Sequence, residues 1–165
     1  MGRSVLHLQT GQLFRDMMQG ETLTAANVRL LMEQGDMIPS WLTTAVVATE
    51  LKEHLTDKTD LIFDGFPRNL EQASLFEDIV SFYQRPKLTV VYLNVPEAVL
   101  RERLKGRSRS DDVGEVIDRR LKLYYRLTEP VVSYYKERTN TYFIDIDGTS
   151  SIMEIHNTIK AKFNF

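Results

Sequence analysis

Leu61-Ile62-Phe63-Asp64-Gly65-Phe66-Pro67-Arg68-Asn69-Leu70-Glu71-Gln72 is the stretch whose reading decides the fold. Its opening apolar run reads as a buried parallel strand. The acid that follows is then delivered to the strand's carboxyl end, where open α/β sheets bind their ligands. A guanidinium just past a strand, such as that of Arg68, matches a phosphate with two parallel N–H donors in a way lysine does not. Asp64 alone reads equally well as a helix cap. Followed by Gly65-Phe66-Pro67-Arg68, it reads as a carboxylate that orders water around a divalent cation.

The rest of the chain supplies a matching frame. Val5 to Leu8, Leu88 to Leu93 and Tyr142 to Ile146 are further strand-like runs, rich in β-branched and aromatic residues. Helical patterns run from about Gln12 to Gln19, from a cap at Thr24 to the stop at Gly35-Asp36, and from Ser40 to about Leu55. In that last helix Leu42, Val46, Thr49 and Glu50 fall on neighbouring turns. Helices are also expected from Asn69 to Tyr83, from Pro96 to Leu104, from Val113 to Lys136 with a bend at Pro130, and from Ser151 to Lys162. Strands alternating with helices predict an α/β fold: a parallel sheet with right-handed crossovers, flanked by helices.

Composition narrows the function. The chain has 165 residues, 42% apolar and 27% charged, and a net charge of −2. Those values suit one core and one main domain, and give no electrostatic case for nucleic acid or an anionic membrane. With no cysteine, disulfides, thiolate metal sites and cysteine nucleophiles are excluded. No apolar run is long enough to cross a membrane. The reading is a soluble, cytoplasmic protein. His7, His54 and His156 form no metal pair at helical spacing, and Tyr124, Tyr125, Tyr134 and Tyr135 read as packing residues with hydroxyls reaching solvent.

Other polar groups gather around the strand ends. Arg15, like Arg68, follows a strand and is placed to meet phosphate. Thr10 and Gln72 could meet the edge of a base; an amide offers both donor and acceptor. Arg101, Arg103, Lys105, Arg107 and Arg109 form a second cationic group. A solvated charged helix is the ordinary reading of such a run. Against it, Arg103 and Arg107 share a helical face if the helix extends that far, and Gly106 could hinge a short lid over a ligand.

These motifs together resemble the adenylate kinases, over almost the whole chain from His7 onward. His7-Leu8-Gln9-Thr10-Gly11-Gln12-Leu13-Phe14-Arg15 looks like the family's second strand and turn, with Gln9 and Gln12 standing where serine and aspartate are usual. Gly35-Asp36-Met37-Ile38-Pro39 resembles the turn of the AMP-binding region. The resemblance implies a P-loop NTPase-like three-layer fold, a helical AMP subdomain over residues 12–55 and a short lid over 106–114. It assigns Thr10, Arg15, Ile38, Gly65, Arg68 and Gln72 to AMP. Arg103, Arg107 and Gly148 are assigned to ATP, Arg109 and Arg120 to catalysis, and Asp64 to Mg2+ through water. Thr10 and Gln72 favour AMP over UMP or CMP, since the pyrimidine kinases typically carry alanine and asparagine there.

The same resemblance implies a preceding strand, a Gly-x-x-Gly-x-Gly-Lys-type loop and a helix. No Gly-Lys pair occurs in these 165 residues. The reading therefore expects the first strand and phosphate loop to be missing, and this chain alone to be impaired for ATP binding and catalysis. Two strand edges, at Leu61–Phe63 and Leu88–Leu93, would then lie open to a partner chain or to self-association. The alternatives to an ATP + AMP = 2 ADP enzyme are a non-catalytic AMP-binding module and an interaction protein completing its sheet with a partner.

Overall fold

The computed structural model describes residues 3–85, 87–106 and 114–163. The chain order begins β1 (Ser4–Gln9), α1 (Thr10–Met17), α2 (Leu23–Gln34), α3 (Ser40–His54), β2 (Thr59–Asp64) and α4 (Leu70–Phe82). It continues β3 (Leu88–Asn94), α5 (Glu97–Gly106), α6 (Gly114–Leu123), a π-helical turn (Tyr124–Thr128), α7 (Glu129–Lys136), β4 (Thr141–Asp147) and α8 (Ile152–Phe163). The α/β character expected from the alternation holds.

Local chemistry sets the boundaries. Asn69 caps α4 by accepting the Gln72 N–H at 2.8 Å, and Gly35 ends α2 in the left-handed conformation at φ 72°. The cap of α2 is Thr22 rather than Thr24, its hydroxyl accepting the Ala25 N–H at 3.1 Å. On α3 the buried residues are Thr43, Val47 and Leu51, one position along from the expected Leu42 and Val46. Thr43 tolerates burial because its hydroxyl donates to the Pro39 carbonyl at 3.2 Å. The long helix expected from Val113 to Lys136 is broken before Pro130, by the π-turn.

The strands pair in parallel. β1 runs beside β2 from Ser4↔Thr59 to Gln9↔Asp64, and β3 beside β4 from Leu88↔Thr141 to Asn94↔Asp147. Among the described residues these are two two-stranded sheets, with no ladder joining β2 to β3. One face of each meets a shared helical layer. Leu6, Leu61 and Phe63 of the first sheet and Leu88, Val90 and Phe143 of the second pack on a cluster formed by α3, α4 and α7, including Val47, Leu51, Ala73, Phe76, Val131 and Tyr135. Phe63 and Phe76 meet edge to face with centroids 4.9 Å apart, and Phe66 and Phe76 at 5.8 Å, favourable aromatic geometries. Truncating Phe76 to alanine should cost about 3–5 kcal/mol.

The expectation of strands buried on both faces is corrected here. On β2 and β3, Ile62 is 49% exposed, Val91 36% and Leu93 45%, because the helical layer covers only their alternate residues. By contrast, β4 is covered on both faces: Phe143 packs on the cluster, and Ile144 and Ile146 are buried on the other side. Two of the tyrosines also differ from expectation. Tyr135 is buried, its hydroxyl without a hydrogen-bond partner among the described residues, and Tyr124 meets Tyr92, hydroxyl to hydroxyl, at 3.1 Å. No described helix is long and apolar enough to cross a membrane.

Candidate functional site

Both sheets direct their carboxyl ends at one cleft of 880 Å³. β2 brings the Gly65–Arg68 turn to it, β3 brings Asn94 to Pro96, the helices α1 and α2 bring Thr10, Arg15 and the Gly35–Ile38 turn, and α6 brings Arg120. Of the residues expected to bind, Thr10, Arg15, Ile38, Gly65, Arg68, Gln72 and Arg120 all line this space.

Gly65 makes the turn possible. Its φ of +81° favours glycine, and an added Cβ would stand 2.8 Å from Thr10 Oγ1 and 2.9 Å from Arg68 Nη2. Its carbonyl accepts from Thr10 Oγ1 at 2.9 Å and from Arg68 Nε at 2.9 Å. Thr10 is buried, so its hydroxyl first ties the end of β1 to the end of β2. The Arg68 side chain meets solvent inside the cleft yet has protein around most of it. Burial pushes its guanidinium pKa below the ordinary value, with Asp64 opposing that shift and Arg120 adding to it. An arginine stays cationic under such conditions. Two positive groups therefore sit near each other in a cleft, an arrangement that an anion between them would stabilise.

Gln72, buried on α4, gives its Oε1 to the Arg68 backbone N–H at 2.8 Å. One lone pair of that oxygen is thereby committed. Arg15 donates through Nε and Nη2 to Gln12 Oε1 at 3.1 and 2.9 Å. Gln12 in turn donates to Asp16 at 2.7 Å, so the glutamine found where aspartate is usual still orients Arg15. Ile38 lines the cleft next to Asp36, whose carboxylate pairs with Arg119.

The remaining candidates lie elsewhere. Arg103 and Gly148 meet each other, away from the cleft lining: Arg103 Nη1 donates to the Gly148 carbonyl at 2.6 Å, and Nη2 to Thr149 and Ser150 carbonyls at 2.9 and 3.3 Å. Arg107, Arg109 and the body of the expected lid, residues 107–113, lie outside the described residues. Asp64 ends β2 beside the Thr10 hydroxyl, which approaches its backbone carbonyl at 3.3 Å. Among the described residues no group of three metal-ligating side chains occurs. A single strand-end carboxylate suits Mg2+, which keeps most of its waters, better than it suits an ion needing a protein cage. Sequence reasoning placed Thr128 only in the motif that follows Arg120 and gave it no role; its hydroxyl donates to the Arg68 carbonyl at 2.9 Å.

A cleft at the carboxyl ends of parallel strands, with paired guanidinium groups and a buried amide, defines an α/β protein built for a small anionic ligand. The family model for adenylate kinase matches residues 2–140. An adenylate kinase of Prochlorococcus marinus (strain MIT 9515) is 36% identical over 159 residues, covering 96% of this chain and 85% of that protein. One from Oenococcus oeni is 32% identical over 148 residues, covering 89% and 79%, and one from Mycobacterium sp. (strain MCS) is 35% identical over 151, covering 92% and 81%. The chain belongs to the adenylate kinase family.

Proposed function

We propose that the cleft is an AMP site and that the parent reaction is reversible phosphoryl transfer, ATP + AMP = 2 ADP. The observation that carries this reading is the convergence of Arg15, Arg68 and Arg120 with the buried Gln72 on one cleft. Arg68 and Arg15 hold the AMP phosphate, and Gln72, Thr10 and Ile38 meet the adenine, with Gly65 allowing close approach of the backbone. An oxygen of that phosphate attacks the γ-phosphorus of ATP as the bond to the bridging oxygen breaks, leaving ADP on both sides. Arg120 and Arg109 neutralise charge on the group in flight, so catalysis is positioning and electrostatics without a covalent intermediate. Arg103, Arg107 and Gly148 serve the ATP side. Asp64 would hold Mg2+ through water, and the ion would supply charge neutralisation on the phosphates.

This 165-residue chain carries no Gly-Lys pair, and a phosphate loop's backbone N–H groups and lysine are what bind ATP in such enzymes. We therefore expect it, by itself, to bind AMP and to be impaired for ATP binding and catalysis; a cytoplasmic location is proposed separately, from the family. Calorimetry with AMP, UMP and CMP, beside a coupled assay of ADP formation, tests both halves. Ordinary turnover by pure chain would overturn the impairment, and equal affinity for UMP would overturn the base assignment.

A second reading rests on β2 and β3, each of which pairs on one side only among the described residues, with no ladder joining them. Strand edges of that kind recruit other strands, so this chain completes its sheet with a partner or a second copy. Sedimentation velocity across a hundredfold concentration range (~1–100 μM, spanning ordinary interface affinities) tests self-association. A single monomeric species throughout would remove it.

A further inference from the structure

Three residues that line the cleft hold the Arg68 turn by hydrogen bonds. Its backbone N–H is held by Gln72 Oε1 at 2.8 Å, and its Nε by the Gly65 carbonyl at 2.9 Å. Both partners belong to the same β2–α4 segment, so together they set the local shape of the turn and nothing beyond it. The third restraint comes from 60 residues away, where Thr128 Oγ1 donates to the Arg68 carbonyl at 2.9 Å. Thr128 closes the π-helical turn Tyr124–Thr128, which joins α6, carrying Arg120, to α7, anchored in the core by Val131 and Tyr135. π-turns of this kind recur at functional sites.

Burial lowers the Arg68 pKa most, Asp64 opposes that shift and Arg120 adds to it, so the two guanidinium groups lie within electrostatic reach of each other. We propose, resting on the phosphate reading above, that Thr128 is a positioning residue that holds Arg68 against the helix carrying Arg120, so that both guanidinium groups meet one phosphate. The hydroxyl donates to the Arg68 carbonyl. It acts through the Arg68 peptide, and its loss loosens phosphate recognition and leaves base recognition as it was.

The test compares AMP with adenosine, by calorimetry on the full chain. Thr128→Val keeps the shape and removes the donor; Thr128→Ser keeps the donor; Thr128→Ala serves if the valine variant fails to fold, each checked by thermal melting. We expect Thr128→Val to weaken AMP about tenfold, the scale of one hydrogen bond to a charged group's own peptide. Adenosine affinity should stay within about twofold and Thr128→Ser should recover AMP affinity, both following from that single lost bond. In an Arg68→Ala background Thr128→Val should have no further effect on AMP, since a positioning residue has nothing left to position. Equal weakening of AMP and adenosine would show a general scaffold role and overturn the proposal, as would unchanged AMP affinity in Thr128→Val. A parent chain that binds neither ligand would instead remove the AMP reading of the cleft, and this inference with it.

Discussion

Asp36 and Arg119, separated by 83 residues of chain, meet in a two-point ion pair with Nε–Oδ1 2.5 Å and Nη2–Oδ2 2.6 Å. Beside it Gly35 lies so close to α6 that an added Cβ would stand 2.7 Å from Val116 Cγ1 and 3.0 Å from the Val116 carbonyl. The α2–α3 turn is thus joined to α6 by a charge contact and by a steric one. The two should differ in energy. Arg119 is half exposed, so solvent screens the pair, and Asp36→Asn should cost less than about 1 kcal/mol. Gly35→Ala must take a φ of +72° and displace a backbone carbonyl, and should cost about 1–3 kcal/mol. Urea melts of both variants check the order; a larger loss for Asp36→Asn would refute it.

Gly65 should be as intolerant, with a functional consequence. Gly65→Ala drives a methyl between Thr10 Oγ1 and Arg68 Nη2, disturbing two AMP-site residues at once. We expect a stability loss of about 1–3 kcal/mol and AMP affinity lowered at least about tenfold, read by calorimetry on folded protein.

Arg68→Lys separates charge from shape. A lysine keeps the positive group but has no fork and cannot use Nε to reach the Gly65 carbonyl while facing a phosphate. AMP affinity should fall about tenfold or more, with adenosine unaffected. Near-parental AMP affinity would mean that Arg68 acts as a bare charge.

The turn into α8 should be sensitive to acid. Hydrogen bonds from the Thr149 hydroxyl and backbone N–H hold Asp147 below the ordinary carboxylate range, and those from Ser151 do the same for Glu154. A folded-state pKa below the unfolded one means stabilisation present above the unfolded value and lost as pH falls through the folded one. Amide exchange at Thr149 and Ser151, corrected for intrinsic rate, should therefore stay protected near neutrality and lose protection below about pH 4. Protection that rises on acidification would contradict the sign.

Gly148 is a packing position, as its close neighbours show. An alanine there would place its Cβ 2.5 Å from Val95 Cγ2 and 3.3 Å from Leu93 Cβ. Gly148→Ala should cost about 1–3 kcal/mol by overpacking, and Arg103→Ala, which releases the Gly148, Thr149 and Ser150 carbonyls together, should loosen the same turn. Thermal melts of the two variants read both effects.

Much of this was legible in the sequence because local chemistry dictated it. Asn69 and Gly35 mark helix ends through their own side chain or lack of one, and the apolar runs of β2 and β3 declare strands. Arg15 and Arg68 followed from strand ends sharing one side of a parallel sheet, while the grouping of Thr10, Gly65 and Gln72 with them came from the family resemblance. Other features depend on distant partners. Nothing near Asp36 announces Arg119, and nothing near Thr128 announces the Arg68 carbonyl. The break at Tyr124–Thr128 escaped notice because a π-turn changes hydrogen-bond register without needing a glycine or proline. The Ile62 and Val91 side chains read as buried since an apolar run cannot say how many helical layers will cover it.

The two separate pairings of strands also shape how the chain finds its structure. Ser4 seeks a partner at Thr59 and Leu88 one at Thr141, so each half closes its own loop of similar length and neither awaits the other. Parallel pairing is non-local by nature, which makes such closures slow. Val47 and Phe76 of the first half share a cluster with Val131 and Tyr135 of the second, so their mutual contacts form only when the two halves dock. We expect truncations across that seam to quicken unfolding more than they slow folding, and stopped-flow chevrons would show otherwise if the folding arm moved instead.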